Sequence, residues 1–181
     1  MLGLGHTVCF LSAENSVQPR AEELDSLDRY SVLHFRTFAE LASALKKALN
    51  DQFFDVAIHL AAVSDYSLAD GAAATKNDSS EEMVLKLRKN PKLVESIRPW
   101  SKNRALKLVA FKLTATADLS DRKTRLEKLI LNSKPDFVVT NDLAELPKWK
   151  LIDANHVSKE RLVIAEGSTR EELGFSLEGV L

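Results

Sequence analysis

The sequence predicts an α/β fold, a parallel sheet flanked by helices in three layers and closed by a C-terminal antiparallel hairpin. Three observations predict it. Short apolar runs alternate with amphipathic stretches along most of the chain. Residues 55–62, Asp-Val-Ala-Ile-His-Leu-Ala-Ala, are continuously apolar after Asp55 except at His59, as a central parallel strand covered on both faces requires. Near the end the pattern changes to two short apolar runs, 150–153 and 161–165, either side of a polar turn, Asn155-His156-Val157-Ser158-Lys159.

The elements follow in order. Residues 6–12 read as a buried strand, then a polar loop runs to about Tyr30, and 31–35 read as a second strand. Thr37 can cap a helix whose apolar positions Phe38, Leu41, Leu45 and Leu49 recur at three- and four-residue spacing. Residues 106–113 and 136–140 read as strands, with a helix over 120–132 between them. Residues 63–82 are rich in Ala, Ser, Asp and Gly and carry no helical period, so a long loop or flap is expected there. Met1-Leu2-Gly3-Leu4-Gly5 runs straight into a strand without the strand, Gly-rich turn and helix that open a nucleotide-binding sheet. Gly3 and Gly5 read as the end of a helix that begins outside these residues. The expectation is a single, N-terminally incomplete Rossmann-like domain over residues 1–181.

Composition narrows the function classes. With 181 residues, 45% of them hydrophobic, one domain can bury a core without staples. The lone Cys9 excludes an internal disulfide framework and a Cys-rich zinc site, and fits a reducing, cytoplasmic setting. No apolar run approaches the roughly 18–20 residues of a membrane span. A net charge of −1 argues against a nucleic-acid coat. That charge is uneven: residues 76–134 hold 15 Lys/Arg against 7 Asp/Glu, the remainder 10 against 19. A basic middle in an acidic frame suggests a small anionic ligand such as a phosphate ester, or a solvated helical face of mixed sign.

The segment richest in chemistry is 55–66. Small residues after His59 and Leu60, beginning with Ala61, let a flat ligand approach the backbone at the carboxyl end of a strand. Asp65 reads either as an acceptor for a base amino group or ribose hydroxyl, or as a turn cap. Extended short-chain dehydrogenases carry a similar strand, and would imply NAD(P) binding. They also need a Gly-x-x-Gly-x-x-Gly turn and a Tyr-x-x-x-Lys pair; here Tyr66 is followed by Asp70 and Tyr30 by His34.

A second resemblance spans far more of the chain. Ala61-Ala62-Val63-Ser64-Asp65-Tyr66, Lys76, Leu87-Arg88-Lys89-Asn90-Pro91-Lys92-Leu93-Val94 with Ile97, and Val109-Ala110-Phe111-Lys112-Leu113 occur in the order found in phosphopantothenoylcysteine synthetases. So do Lys128 and Lys134-Pro135-Asp136-Phe137-Val138-Val139-Thr140-Asn141-Asp142-Leu143. The sequence is most similar to the stand-alone bacterial form of that family. The resemblance implies a ligase of coenzyme A biosynthesis. It would activate 4′-phosphopantothenate with CTP (ATP being the other candidate) to an acyl-cytidylate, which the cysteine amine then attacks. It also implies Mg²⁺ carried with the nucleotide, no dedicated metal site, and a homodimer to which the late hairpin contributes.

The same resemblance assigns residues. Lys76 would be the catalytic lysine of a mobile flap closing on the phosphates. The turn at Asn90-Pro91 reads as a helix start, with Asn90 as cap and Pro91 at the first helical position. It would offer the N–H groups of Lys92, Leu93 and Val94 to the cytidine nucleotide. Phe111 reads as a stacking partner for base or ribose, or as core. Lys128, and Lys134 after a one-residue shift from Ser133, would bind nucleotide phosphates. Asn141-Asp142 would organise the site or make a turn. His59 reads as a packed histidine rather than a catalyst. The family's opening phosphate loop and its Ser-Asn segment have no counterpart here, so little ligase activity is expected of these 181 residues alone. A non-catalytic nucleotide- or phosphoester-binding module is the other class of reading.

Overall fold

The protein, described by a computed structural model over residues 5–20, 24, 27–69, 84–116, 118–156 and 162–181, begins with a parallel strand pair. β1 (Val8–Ala13) and β2 (Tyr30–Phe35) run in register from Val8 opposite Tyr30 to Ala13 opposite Phe35. α1 (Phe38–Asp51) follows directly, because Thr37 and Glu40 form a reciprocal cap. The Glu40 N–H donates to Thr37 Oγ1 at 3.2 Å, and the Glu40 carboxylate accepts from the N–H groups of Arg36 at 2.7 Å and Thr37 at 3.4 Å.

The rest of the chain builds a second, larger sheet. β3 (Val56–His59) is followed by a two-stranded hairpin, β4 (Tyr66–Leu68) with β5 (Leu87–Lys89), and by α2 (Leu93–Trp100). β6 (Lys107–Thr114), α3 (Leu119–Ser133) and β7 (Phe137–Asp142) come next, then β8 (Trp149–Asp153), β9 (Val163–Gly167) and α4 (Arg170–Glu178). The sheet order is β3-β6-β7-β8-β9, parallel across β3, β6 and β7 and antiparallel thereafter. The expected parallel sheet, helical layers and closing hairpin are all present.

Alternation along β6 divides the core into two faces. Leu108 and Ala110 pack with Leu49, Val94 and Ile97 beneath α1 and α2, while Val138 meets Ile130 of α3. On the opposite face Val109, Val139, Trp149 and Leu151 pack against Leu177 of α4. Asp136 ties the amino edge of the sheet together. Its Oδ2 accepts from the Leu108 N–H at 2.7 Å and from Arg98 Nη2 at 2.6 Å. At the far side Trp149 Nε1 donates to the Thr169 carbonyl at 3.0 Å, holding the hairpin against the start of α4.

Two expectations change. The predicted strand over 55–62 is shorter, and among the described residues it pairs on one side only, with β6. β1 lies across an apolar crevice of about 160 Å³ from it, lined by Cys9, Phe10, Leu41, Leu45, Val56 and Ile58. The stretch 63–82 is also not wholly irregular, since β4 falls inside it. The pairing partner, β5, lies some twenty residues further on, beyond the reach of a local pattern. Residues 70–83, with Lys76, lie outside the described residues.

Candidate active site

In an open α/β sheet, ligands sit where loops leave the carboxyl ends of the strands. Here β3 stops at His59, opposite Ala110, while β6 continues to Thr114. The extra length sets Phe111 and Lys112 beyond the end of β3, beside the segment that leaves it. Leu60, Ala61 and Asp65 in that segment are exposed.

Asp65 is held from the start of α2. Its carboxylate is hydrogen-bonded and ion-paired to Lys92, and that bond is the main reason its pKa lies below the ordinary value. Asn90 fixes the same corner through main chain: its Nδ2 donates to the Ser64 carbonyl at 2.9 Å and its N–H to the Asp65 carbonyl at 2.8 Å. This corrects the expected helix start. With its amide engaged across the fold, Asn90 does not cap; Lys92 is the N-cap, without a side-chain bond, and α2 begins at Leu93. Pro91 precedes the cap, and Leu93 and Val94 turn their side chains into the core.

Lys112 is the least expected group in the cluster. It follows Leu108 and Ala110 at two-residue spacing and so shares their inward face, yet it carries a charge. Burial, then the nearby Arg125 and Lys92 cations, push its pKa down, while Asp65 and Asp121 partly offset them. Both carboxylates already have partners, because Asp121 accepts from Arg125 Nε at 2.8 Å along α3. Among the described residues the Lys112 ammonium has no hydrogen bond or ion pair of its own.

A second network closes the site behind α3. Asp142, 3% exposed, accepts from Thr114 Oγ1 at 2.5 Å and from the N–H groups of Ala144 at 3.0 Å and Thr116 at 3.3 Å. Arg122 approaches it at 3.1 Å, donates to the Thr116 carbonyl at 2.6 Å and binds Glu145. The Thr114 hydroxyl first, then the backbone donors and Arg122, hold the Asp142 carboxyl below its ordinary pKa despite burial. Asp142 therefore organises the loops after β6 and β7 rather than only making a turn.

The remaining predicted site residues fall in different places. His59 is partly buried beside the crevice, and burial pushes its pKa down, favouring the neutral imidazole. Phe111 packs with the Val109–Trp149 cluster, on the face of β6 away from Lys112. Lys128 is exposed on α3, three residues after Arg125 and seven after Asp121, so it shares their helical face. Lys134 is not brought to Asp65. It ends α3 in the left-handed region, φ 47°, at the amino edge of the sheet, where its carbonyl accepts from Arg98 Nε at 2.8 Å. Sequence reasoning quotes Lys112 within a motif but gives it no role, and it does not single out Asp121, Arg122 or Arg125. The signal for Lys112 was a lysine at an inward position of an apolar strand.

Lys92, Lys112 and Arg125 around two carboxylates that are already paired favour an anion. Among the described residues, no three or more His, Cys, Asp or Glu are grouped to hold a metal ion, and no helix is long and apolar enough to cross a membrane.

Residues 3–158 match the family described as DNA/pantothenate metabolism flavoprotein, C-terminal domain. The chain belongs to that family. The synthetase resemblance seen in the sequence is borne out at this level. Over 96 residues the chain is 33% identical to the coenzyme A biosynthesis bifunctional protein CoaBC of Methanocaldococcus jannaschii, covering 51% of this chain and 22% of that protein. It thus spans about a fifth of the curated relative's length. Solved structures share the fold. The Streptococcus pneumoniae DNA/pantothenate metabolism flavoprotein has a TM-score of 0.72 at 20% identity, covering 99% of this chain and 82% of that one. The C-terminal domain of a CoaBC protein gives 0.66 at 16% identity, with 98% and 74% covered. A Cab2 variant in complex with phosphopantothenate-cysteine gives 0.60 at 16% identity, with 99% and 75% covered.

Proposed function

We propose that this pantothenate-metabolism domain is the ligase unit joining 4′-phosphopantothenate to cysteine in coenzyme A biosynthesis. The observation that carries the reading is the cationic cluster of Lys92, Lys112 and Arg125 at the carboxyl edge of a sheet belonging to this family. In the first step the substrate carboxylate attacks the α-phosphorus of CTP, or of ATP, and pyrophosphate leaves with the electron pair of the broken P–O bond. The cysteine amine then attacks the acyl carbon of the mixed anhydride, loses a proton, and expels the nucleoside monophosphate. Both steps gather negative charge that fixed cations stabilise most where water is scarce. Lys76 would add a further cation, with Asp65 and the start of α2 bounding the nucleotide.

The donors at this edge suit phosphate oxygens better than a bare cation, since Asp65 and Asp121 are already engaged. Mg²⁺ would accordingly arrive on the nucleotide, held by phosphate and water. The hairpin supports a homodimer: β9 is an edge strand whose Val163 and Ile164 remain exposed. Such a ligase would act in the cytoplasm. The test supplies CTP or ATP, 4′-phosphopantothenate and cysteine to the full chain, and follows pyrophosphate and the amide product. Cysteine-dependent product formation supports the ligase. Nucleotide binding without pyrophosphate release would leave a binding module instead.

A further inference from the structure

Lys112 stands at a costly position for a cation. It is half-buried on the inward face of β6, and the carboxylates near it offset its cost only in part. Of the two carboxylates within electrostatic reach, Asp65 is taken by Lys92 and Asp121 by Arg125. Lys89 of β5 adds a further positive charge on the Asp65 side. Desolvating a charge without a partner is unfavourable, and two more cations nearby increase the cost. An incoming anion would relieve burial and repulsion together.

We propose that the Lys112 ammonium is the innermost seat for a phosphoryl group, receiving one oxygen of a phosphate ester or polyphosphate, with Lys92 and Arg125 flanking it. The placement favours that chemistry over a carboxylate. A phosphoryl group offers three oxygens carrying up to two charges, enough to face three cations approaching from β6, α2 and α3. Lys112 differs from the two flanking cations in kind. They are held by Asp65 and Asp121 and must share themselves with a ligand, whereas Lys112 is uncommitted and sits on a rigid strand beneath them. The inference rests on the reading of this edge as the ligand site, though not on which reaction follows. Two sources offer the same chemistry, the triphosphate of a nucleotide and the monoester of phosphopantothenate.

The test uses calorimetry on the full chain with inorganic pyrophosphate, CTP and 4′-phosphopantothenate, comparing wild type, Lys112→Met and Lys112→Arg. Methionine keeps most of the stem and removes the charge. Its affinity for pyrophosphate and for one of the two organic ligands should fall about 10- to 100-fold, and the ligand that is weakened identifies the source. Arginine should stay within about fivefold of wild type. Without ligand, Lys112→Met should melt no lower than wild type, because it removes a half-buried charge that has no ion-pair partner. The proposal is overturned if Lys112→Met binds all three probes like wild type, or if wild type binds none. It is also overturned if methionine lowers the melting temperature and arginine fails to restore binding, since the role would then be packing. Lys112-dependent pyrophosphate binding without turnover would keep this inference and remove the ligase reading; turnover indifferent to Lys112 would do the reverse.

Discussion

Asp65 and Lys92, 27 residues apart in the chain, are joined as an ion pair that fastens the exit of β3 to the entrance of α2. The β4–β5 pair lies between them in the chain, and Asn90 bonds the main chain of Ser64 and Asp65 beside this junction. Both side chains are at least half exposed, so the pair adds little to global stability. Asp65→Asn or Lys92→Ala should therefore leave the melting temperature within about 3 °C of wild type. Amide exchange at Tyr66–Leu68 and Leu87–Lys89 should accelerate instead. A hairpin that exchanges as in wild type would show that Asn90 alone holds it.

Asp136 should behave in the opposite way. It accepts from the buried Leu108 N–H and from Arg98, both within 2.7 Å. Asp136→Ala strands the Leu108 N–H and leaves Arg98 Nη2 without its carboxylate, and should cost about 3 kcal/mol in urea denaturation. Asp136→Asn retains one carbonyl acceptor and should recover part of that loss.

Gly167 has no room for a side chain. A Cβ there would lie 2.7 Å from Trp149 Cζ2 and 2.6 Å from Glu172 Oε2. The indole is pinned by its bond to Thr169, and Glu172 by its reciprocal cap with that residue. Gly167→Ala should destabilise by about 1–3 kcal/mol and change the tryptophan emission as the Trp149 ring shifts.

His59 gives the protein a mildly acid-sensitive core. In an unfolded chain its imidazole takes up a proton near pH 6.5, whereas burial lowers the folded value. Between those two values the unfolded state binds more protons, so stability should fall as pH drops below about 6.5. Asp142, Glu40 and Glu172 act in a lower window. Their folded pKa values lie below 3.8 and 4.5, the ordinary carboxyl values, so their contribution is complete above those and lost on further acidification. His59→Leu should flatten the decline in urea midpoint between pH 7.5 and 5.5 and leave the decline below pH 4 in place. An unchanged slope near pH 6 would show that the imidazole is protonated in the fold.

Local signals carried the sequence a long way. The Thr37 cap and the Phe38–Leu49 periodicity were visible because cap and stripe are adjacent in the chain, and the structure adds only the reciprocal bond from Glu40. The apolar run at 55–62 showed a strand but not its end, since the backbone departs after His59 toward contacts made by Asn90, far along the chain. The same long-range bond overrode the capping preference of Asn90. Phe111 and Lys112 were legible as a motif, but only the alternation of β6 shows that one enters the core cluster while the other faces Asp65 and Asp121. Asp142 is legible as part of a motif but Arg122 is unremarkable in sequence, and their network exists only once β6, β7 and α3 are assembled. Lys134 lies away from the cluster for a related reason. A helix fifteen residues long carries its two ends to opposite edges of the sheet, so a lysine at its C-terminus cannot share a site with the loops at its N-terminus.

The crevice between β1 and β3 implies a chain that need not melt all at once. No backbone bond crosses it among the described residues, and the two strand systems share the packing of α1 instead of a common ladder. The β1–β2 unit is then a separate cooperative unit, able to detach at less than the free energy of global unfolding. Native-state exchange in low urea should resolve two classes of amide. Those of β1 and β2 should open through an early, shallow isotherm, while those of β6 and β7 hold out until the whole domain is lost.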